Sequence, residues 1–155
     1  MHSARSRVLA GVLTVVVAMV LTACDSGEDD EAKVSRSGTS ESHNAGKNCM
    51  TCHSPGGSGE YVFSVAGTVY KPDLVSVHPG SVIRFHSAVD GGGNLVASIE
   101  VDDKGNFYTT EPVNLTAGPF ASAEGTAATR YMQTSLSAGA CNGCHGVTTS
   151  VISVE

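Results

Sequence analysis

Apolar and polar residues alternate along short runs in the middle of the chain. The run 81–88 is the clearest, since Ile83 and Phe85 fall on one face while Arg84 and His86 fall on the other. Such period-two alternation is typical of half-buried β-strands, and clusters of glycine, proline and aspartate bound each run. The pattern predicts strands over residues 61–70, 74–77, 81–88, 95–101, 106–110 and 126–134.

Short strands with turn signals at this spacing favour a mainly β fold, a small β-sandwich with loop segments at its N- and C-terminal ends. Between residues 65 and 110 the chain carries, in order, Gly-x-Val, Pro-Gly-x-x-Ile-x-Phe and Val-Asp-Asp-x-Gly-x-Phe-x-Thr. This order resembles small sandwich modules of the transthyretin or carboxypeptidase-regulatory type. The resemblance implies a sandwich and nothing about catalysis.

The N-terminus has the pattern of an export signal. Arg5 and Arg7 precede an apolar run over residues 8–21, which is too short to span a membrane as a helix. The sequence Leu-Thr-Ala before Cys24 resembles the lipobox of bacterial lipoproteins, which implies cleavage before Cys24 and lipid attachment to it. We therefore expect a lipoprotein signal peptide over 1–23 and a membrane-anchored protein on the periplasmic or cell-surface side. An ordinary secretory signal is the alternative.

The next segment, residues 24–47, is dense in aspartate, glutamate, serine and glycine, with Val34 as its one large apolar residue. Such a composition buries too little apolar surface to offset the conformational entropy lost on ordering. The sequence therefore predicts a disordered acidic linker over 24–47 and a folded domain over 48–155.

The net charge argues against nucleic acid as a partner. The whole chain has a formal charge of −6, from nine basic and fifteen acidic side chains. Loss of Arg5 and Arg7 with the signal leaves seven basic side chains against the same fifteen acidic ones, a balance of −8. An acidic surface repels nucleic acid and favours a basic protein partner.

All cysteines other than Cys24 lie in two Cys-x-x-Cys pairs, and a histidine directly follows each pair. The first motif is Cys49-Met50-Thr51-Cys52-His53 and the second is Cys141-Asn142-Gly143-Cys144-His145. Both match the signature for covalent attachment of c-type haem, in which the thiols bond to the porphyrin and the histidine binds iron. We expect two covalent haems, with His53 and His145 as proximal ligands.

Zinc and disulfide bonds are the alternatives for the same cysteines. Two Cys-x-x-Cys pairs form a Cys₄ zinc site in many small domains. Here Cys49 and Cys141 are 92 positions apart, far beyond a usual zinc-ribbon loop, and zinc would leave both following histidines unexplained.

The arrangement as a whole resembles small dihaem cytochromes of metal-respiring bacteria: a histidine, His43, shortly before the first motif, then a β module, then a terminal second motif. The resemblance implies electron transfer to and from other cytochromes as redox partners, without enzymatic activity. Two further functions stay open. One is an open-haem sensor or peroxidase-like enzyme, and the other is a self-assembling subunit of a haem filament.

Each haem iron also has a sixth, distal position. His43 is the leading distal ligand because it lies in a glycine-containing segment that could fold back over a haem. His78, His86 and Met132 are the other options, against ordinary roles in a turn, on an exposed strand face and in the core.

Overall fold

Two β-sheets form the molecule in the computed structural model, which describes residues 31–155. Within these residues there are seven strands: β1 Val65–Tyr70, β2 Val82–His86, β3 Leu95–Glu100, β4 Asn106–Thr109, β5 Phe120–Glu124, β6 Thr129–Tyr131 and β7 Ile152–Ser153. One sheet has the order β4-β1-β7 and the other β3-β2-β5-β6. This confirms the predicted mainly β fold and small sandwich.

The core lies between the sheets and follows the alternation seen in the sequence. On β2, Ile83 and Phe85 are buried, whereas Arg84 and His86 are half-buried on the opposite face. Val65 and Val69 of β1, with Phe107 of β4, supply the other side of the core. Burying each such side chain stabilises the fold by about 1.5–3 kcal/mol.

Three strand predictions are wrong in part. The strand predicted over 61–70 begins only at Val65. Residues 74–77 form a turn, because the Asp73 carboxylate accepts hydrogen bonds from the N–H groups of Val75 and Ser76, and only Val77 makes a single bridge, to Tyr70. An aspartate that bonds its own backbone in this way favours a turn over a strand. The expected last strand is the shorter β6, and β7 follows it.

Strand β5 has no counterpart in the sequence prediction. Its sequence, Phe-Ala-Ser-Ala-Glu, has small residues with weak strand preference, yet it pairs with both β2 and β6. Its place at the centre of the four-stranded sheet comes from its neighbours on both sides rather than from its own propensity.

The predicted disordered linker is ordered from residue 31 onward. Val34 bridges Thr109, and Ser35 is buried with its N–H bonded to the Tyr108 carbonyl at 2.9 Å. The folded unit accordingly begins at Glu31, not at residue 48. The sequence missed this because backbone and hydroxyl hydrogen bonds, rather than apolar burial, hold the segment against the sheet.

The predicted signal peptide over 1–23 and Cys24 lie outside the described residues. Between residues 31 and 155, no helix is both long and apolar enough to cross a membrane.

Candidate functional site

The two motifs adopt the same local backbone. A single 3₁₀ turn opens each of them, Cys49–Thr51 in the first and Cys141–Gly143 in the second. In both, the carbonyl of the first cysteine accepts hydrogen bonds from the N–H of the second cysteine at 3.2 Å and of the histidine at 2.9 Å. The two segments share no sequence beyond the motif, so the motif itself accounts for the common geometry.

The two histidine rings are oriented alike. Nδ1 of His53 donates to the Tyr61 carbonyl at 2.9 Å, and Nδ1 of His145 donates to the Ser150 carbonyl at 2.8 Å. A carbonyl oxygen only accepts, so the proton stands on Nδ1 and the lone pair on Nε2. This is the arrangement that orients a histidine for metal binding through Nε2.

A cavity of about 790 Å³, the first cavity, contains both thiols and the imidazole of the first motif. Aromatic rings form one wall: His53 stacks on Phe63 with centroids 4.2 Å apart, and Phe63 stacks on Tyr108 at 4.9 Å. Charged side chains line the same cavity, namely Lys33, Glu41, Lys47 and Glu60.

A second cavity, of about 800 Å³, contains both thiols and the imidazole of the second motif. Core side chains from both sheets line it: Ile83 and Phe85 of β2, Phe107 of β4 and Ile152 of β7. The second cavity therefore opens between the two sheets. Both volumes lie in the range of about 300–1,000 Å³ typical of sites that enclose a small molecule or cofactor.

Thr68 of β1 connects the two motif regions. Its N–H donates to the Asn142 side chain, inside the second motif, at 2.8 Å. Its hydroxyl accepts from the N–H of Gly46, which precedes the first motif, at 2.8 Å and donates to Asn106 at 2.7 Å. Thr68, which is buried, thus holds both the segment before the first motif and a residue inside the second motif.

The second motif interrupts an edge strand. The Ala66 N–H bonds the Gly139 carbonyl at 2.9 Å, and further along the same edge β7 pairs in parallel with Val69 and Tyr70. Between these points the chain leaves the sheet as a loop that carries the motif. At this gap the side-chain oxygen of Asn142, rather than the backbone of a neighbouring strand, accepts the hydrogen bond from the Thr68 N–H.

Burial perturbs the first thiol of each motif. Burial, with a smaller contribution from the nearby Cys49 thiol, raises the pKa of Cys141 to about 12. Burial also raises the pKa of Cys49. The two motifs are neighbours, because Gly143 of the second lies against the side chain of Asn48, which precedes the first. Cys52 and Cys144 are exposed.

The cysteines show neither of the alternative arrangements. All four of those in the motifs are free thiols. Among residues 31–155 no group of three or more histidine, cysteine or carboxylate side chains lies close enough to hold a metal ion by itself. A Cys₄ zinc site would form such a group.

The structure separates the four distal-ligand options. His43 lines the first cavity, with its ring centroid 6.1 Å from that of His53, and Met132 lines the second. His78 is buried in its turn beside the Pro79 carbonyl, and neither His78 nor His86 lines either cavity.

Thr68, Asn142 and the aromatic wall of the first cavity escaped the sequence analysis. The attachment signature leaves the position of Asn142 free, and nothing in the sequence marks Thr68 as its partner 74 residues away. Comparisons of the chain with protein-family models, with curated proteins and with solved structures found no match.

Proposed function

We propose that this chain is a dihaem c-type cytochrome that transfers electrons, exported and held on a membrane by a lipid on Cys24. One observation carries the proposal. Each of two cavities of nearly equal volume contains two thiols and one histidine with its Nε2 lone pair available, all from a single motif. Two thiols and an imidazole are the protein groups that c-type haem attachment uses.

The first cavity fits a haem with two histidine ligands. Two imidazoles on opposite sides of one metal, each at a metal–nitrogen distance of about 2.0–2.1 Å, have ring centroids about 6 Å apart. The centroids of His43 and His53 are 6.1 Å apart. We assign His43 as the distal ligand of the first haem on this ground.

Bound haem supplies the one-electron chemistry, and the residues of the chain hold and orient it. The thiols attach it, the proximal histidines bind iron, and the hydrogen bonds to Tyr61 and Ser150 hold those rings in place. The anchoring of both motif regions on Thr68 keeps the two haems close. Proximity of two redox centres favours electron transfer between them, and neither centre needs a substrate.

The proposed partners are other redox proteins, chiefly cytochromes. The chain as a whole is acidic, with a formal charge of −6. Opposite charge on a partner speeds encounter and loses effect as salt is added. The lipid would keep these encounters at the membrane surface.

Intact mass and absorption of the mature protein test the proposal. We expect two haems per chain in the wild type and one in each of the double variants Cys49→Ala/Cys52→Ala and Cys141→Ala/Cys144→Ala. Ser40→Ala, at an exposed position that lines neither cavity, is the matched control and should keep both haems. A colourless protein, with the mass of polypeptide and lipid alone, would refute the proposal.

A further inference from the structure

We propose that the two haem sites are chemically different, and that Met132 is the distal ligand in the second cavity. This inference rests on the proposed haem attachment and adds a ligand and a direction of electron flow to it. Its evidence is the register of β5 and β6 together with the composition of the second cavity.

The register directs the Met132 side chain into the second cavity. On β5 and β6, Ala123 pairs with Arg130 and Ser122 pairs with Tyr131. The Met132 N–H donates to the Ala121 carbonyl at 2.8 Å, which continues the pairing by one more position. Cross-strand partners share a face of the sheet, so Met132 lies on the same face as Ala121.

That face is the inner one. Ala121 and Ala123 pair with Phe85 and Ile83 of β2, whose side chains are buried in the core. All four residues line the second cavity together with Met132. Arg130, which pairs with Ala123, lines the second cavity as well, and so does Tyr131, which is 43 % exposed.

The second cavity offers no second histidine as a distal ligand. His145, the proximal residue, is the single histidine among its lining residues, and Met132 is the single methionine. A methionine side chain is unbranched and has three rotatable bonds, so its sulfur can adjust its position within an apolar cavity. Thioether sulfur with histidine is an established pair of axial ligands for c-type haem iron.

The difference between the sites sets a direction for the electron. A methionine ligand raises the reduction potential of haem relative to a second histidine. Charged side chains line both cavities, Arg130 in the second and four in the first, so the difference in potential rests on the ligand. With Met132 on the second haem and His43 on the first, one electron would pass from the ferrous first haem to the ferric second haem, with no bond formed or broken.

Spectra and redox titration of the mature dihaem protein test the assignment. The ferric wild type should show the long-wavelength charge-transfer band of methionine-ligated haem and two separate one-electron steps. Met132→Ala should abolish the band, lower the higher potential and let carbon monoxide bind one of the two ferrous haems. Met132→His should also abolish the band and bring the two potentials closer, while both haems stay low-spin.

Met50 provides the matched control, because it lies inside the first motif and lines neither cavity. Met50→Leu should leave the band and both potentials unchanged. The assignment of Met132 is wrong if a protein with two haems lacks the band, or if the Met132 variants leave band, potentials and carbon monoxide binding as in the wild type. Absence of haem from the wild type would instead refute the proposed function.

Discussion

At the scale of single residues, a few hydrogen bonds determine what each motif can bind. A histidine next to a Cys-x-x-Cys pair could in principle present either ring nitrogen. In both motifs Nδ1–H donates a hydrogen bond to a carbonyl, that of Tyr61 or of Ser150, which leaves Nε2 free to bind a metal. Every residue has a backbone carbonyl, so residue type does not reveal these hydrogen bonds. The sequence therefore indicated the candidate ligands but not the orientation of their rings.

The buried thiol of Cys141 should react slowly in the haem-free chain. With a pKa of about 12, only about one thiol in ten thousand is ionised at pH 8, and the thiolate is the reactive form. We expect alkylation of Cys141 by iodoacetamide to be at least about tenfold slower in the native than in the denatured chain. Peptide mass spectrometry measures both rates.

The pH dependence of this reaction has a definite sign. Burial raises the pKa, so the native thiol stays protonated where an ordinary thiol, with a pKa of about 8.5, has already ionised. The native rate at Cys141 should keep rising from pH 9 toward 12, while the denatured rate levels off. Equal rates in both states at pH 8 would show that Cys141 is not buried.

At the scale of elements, the second motif occupies a break in the edge of the three-stranded sheet. A break in a ladder leaves a backbone N–H without a partner, and burial makes an unpaired N–H costly. Asn142 removes that cost at Thr68 and joins the loop to β1. The loop is thereby held at the edge where the second cavity opens.

Asn142→Ala should destabilise the protein by about 1–3 kcal/mol, because it leaves the buried Thr68 N–H unpaired. Denaturant unfolding of the mature protein measures the change. Asn94→Ala, at an exposed position outside the strands, should change stability by less than about 0.5 kcal/mol. A similar small effect for both variants would mean that the Asn142 bond does not hold the loop.

At the scale of the whole molecule, the two cavities differ in what surrounds them. The second opens between the sheets and reaches core residues such as Phe85 and Phe107. The first is formed by the 41–63 region and Tyr108, with charged residues among its lining. The second cavity thus borders the core, whereas the first lies beside β4 of the three-stranded sheet.

Loss of the second haem should therefore lower the thermal midpoint more than loss of the first. Cys141→Ala/Cys144→Ala leaves an empty cavity of about 800 Å³ against the core side chains Phe85 and Phe107, whereas Cys49→Ala/Cys52→Ala empties a cavity that no core side chain lines. A difference of about 2 kcal/mol corresponds to about 5–10 °C for a domain of this size. Calorimetry of the two single-haem variants measures it, and equal midpoints would contradict this account of the second cavity.

The sequence by itself predicted the mainly β fold class and located the cysteines and histidines of the proposed site. Alternation on β2 is a local property, and it correctly placed Ile83 and Phe85 inside and Arg84 and His86 outside. The two motifs are also local, since five consecutive residues carry the thiols and the imidazole. Both features were readable because covalent neighbours alone produce them.

Only the tertiary structure decided the rest, because it depends on contacts between distant segments. The pairing of β5, the ordered segment that begins at residue 31, and the Thr68–Asn142 bond all join residues far apart in the chain. The positions of the four candidate distal ligands are of the same kind. His43 and Met132 line the cavities while His78 and His86 do not, since chain folding rather than residue type brings a side chain to a cavity.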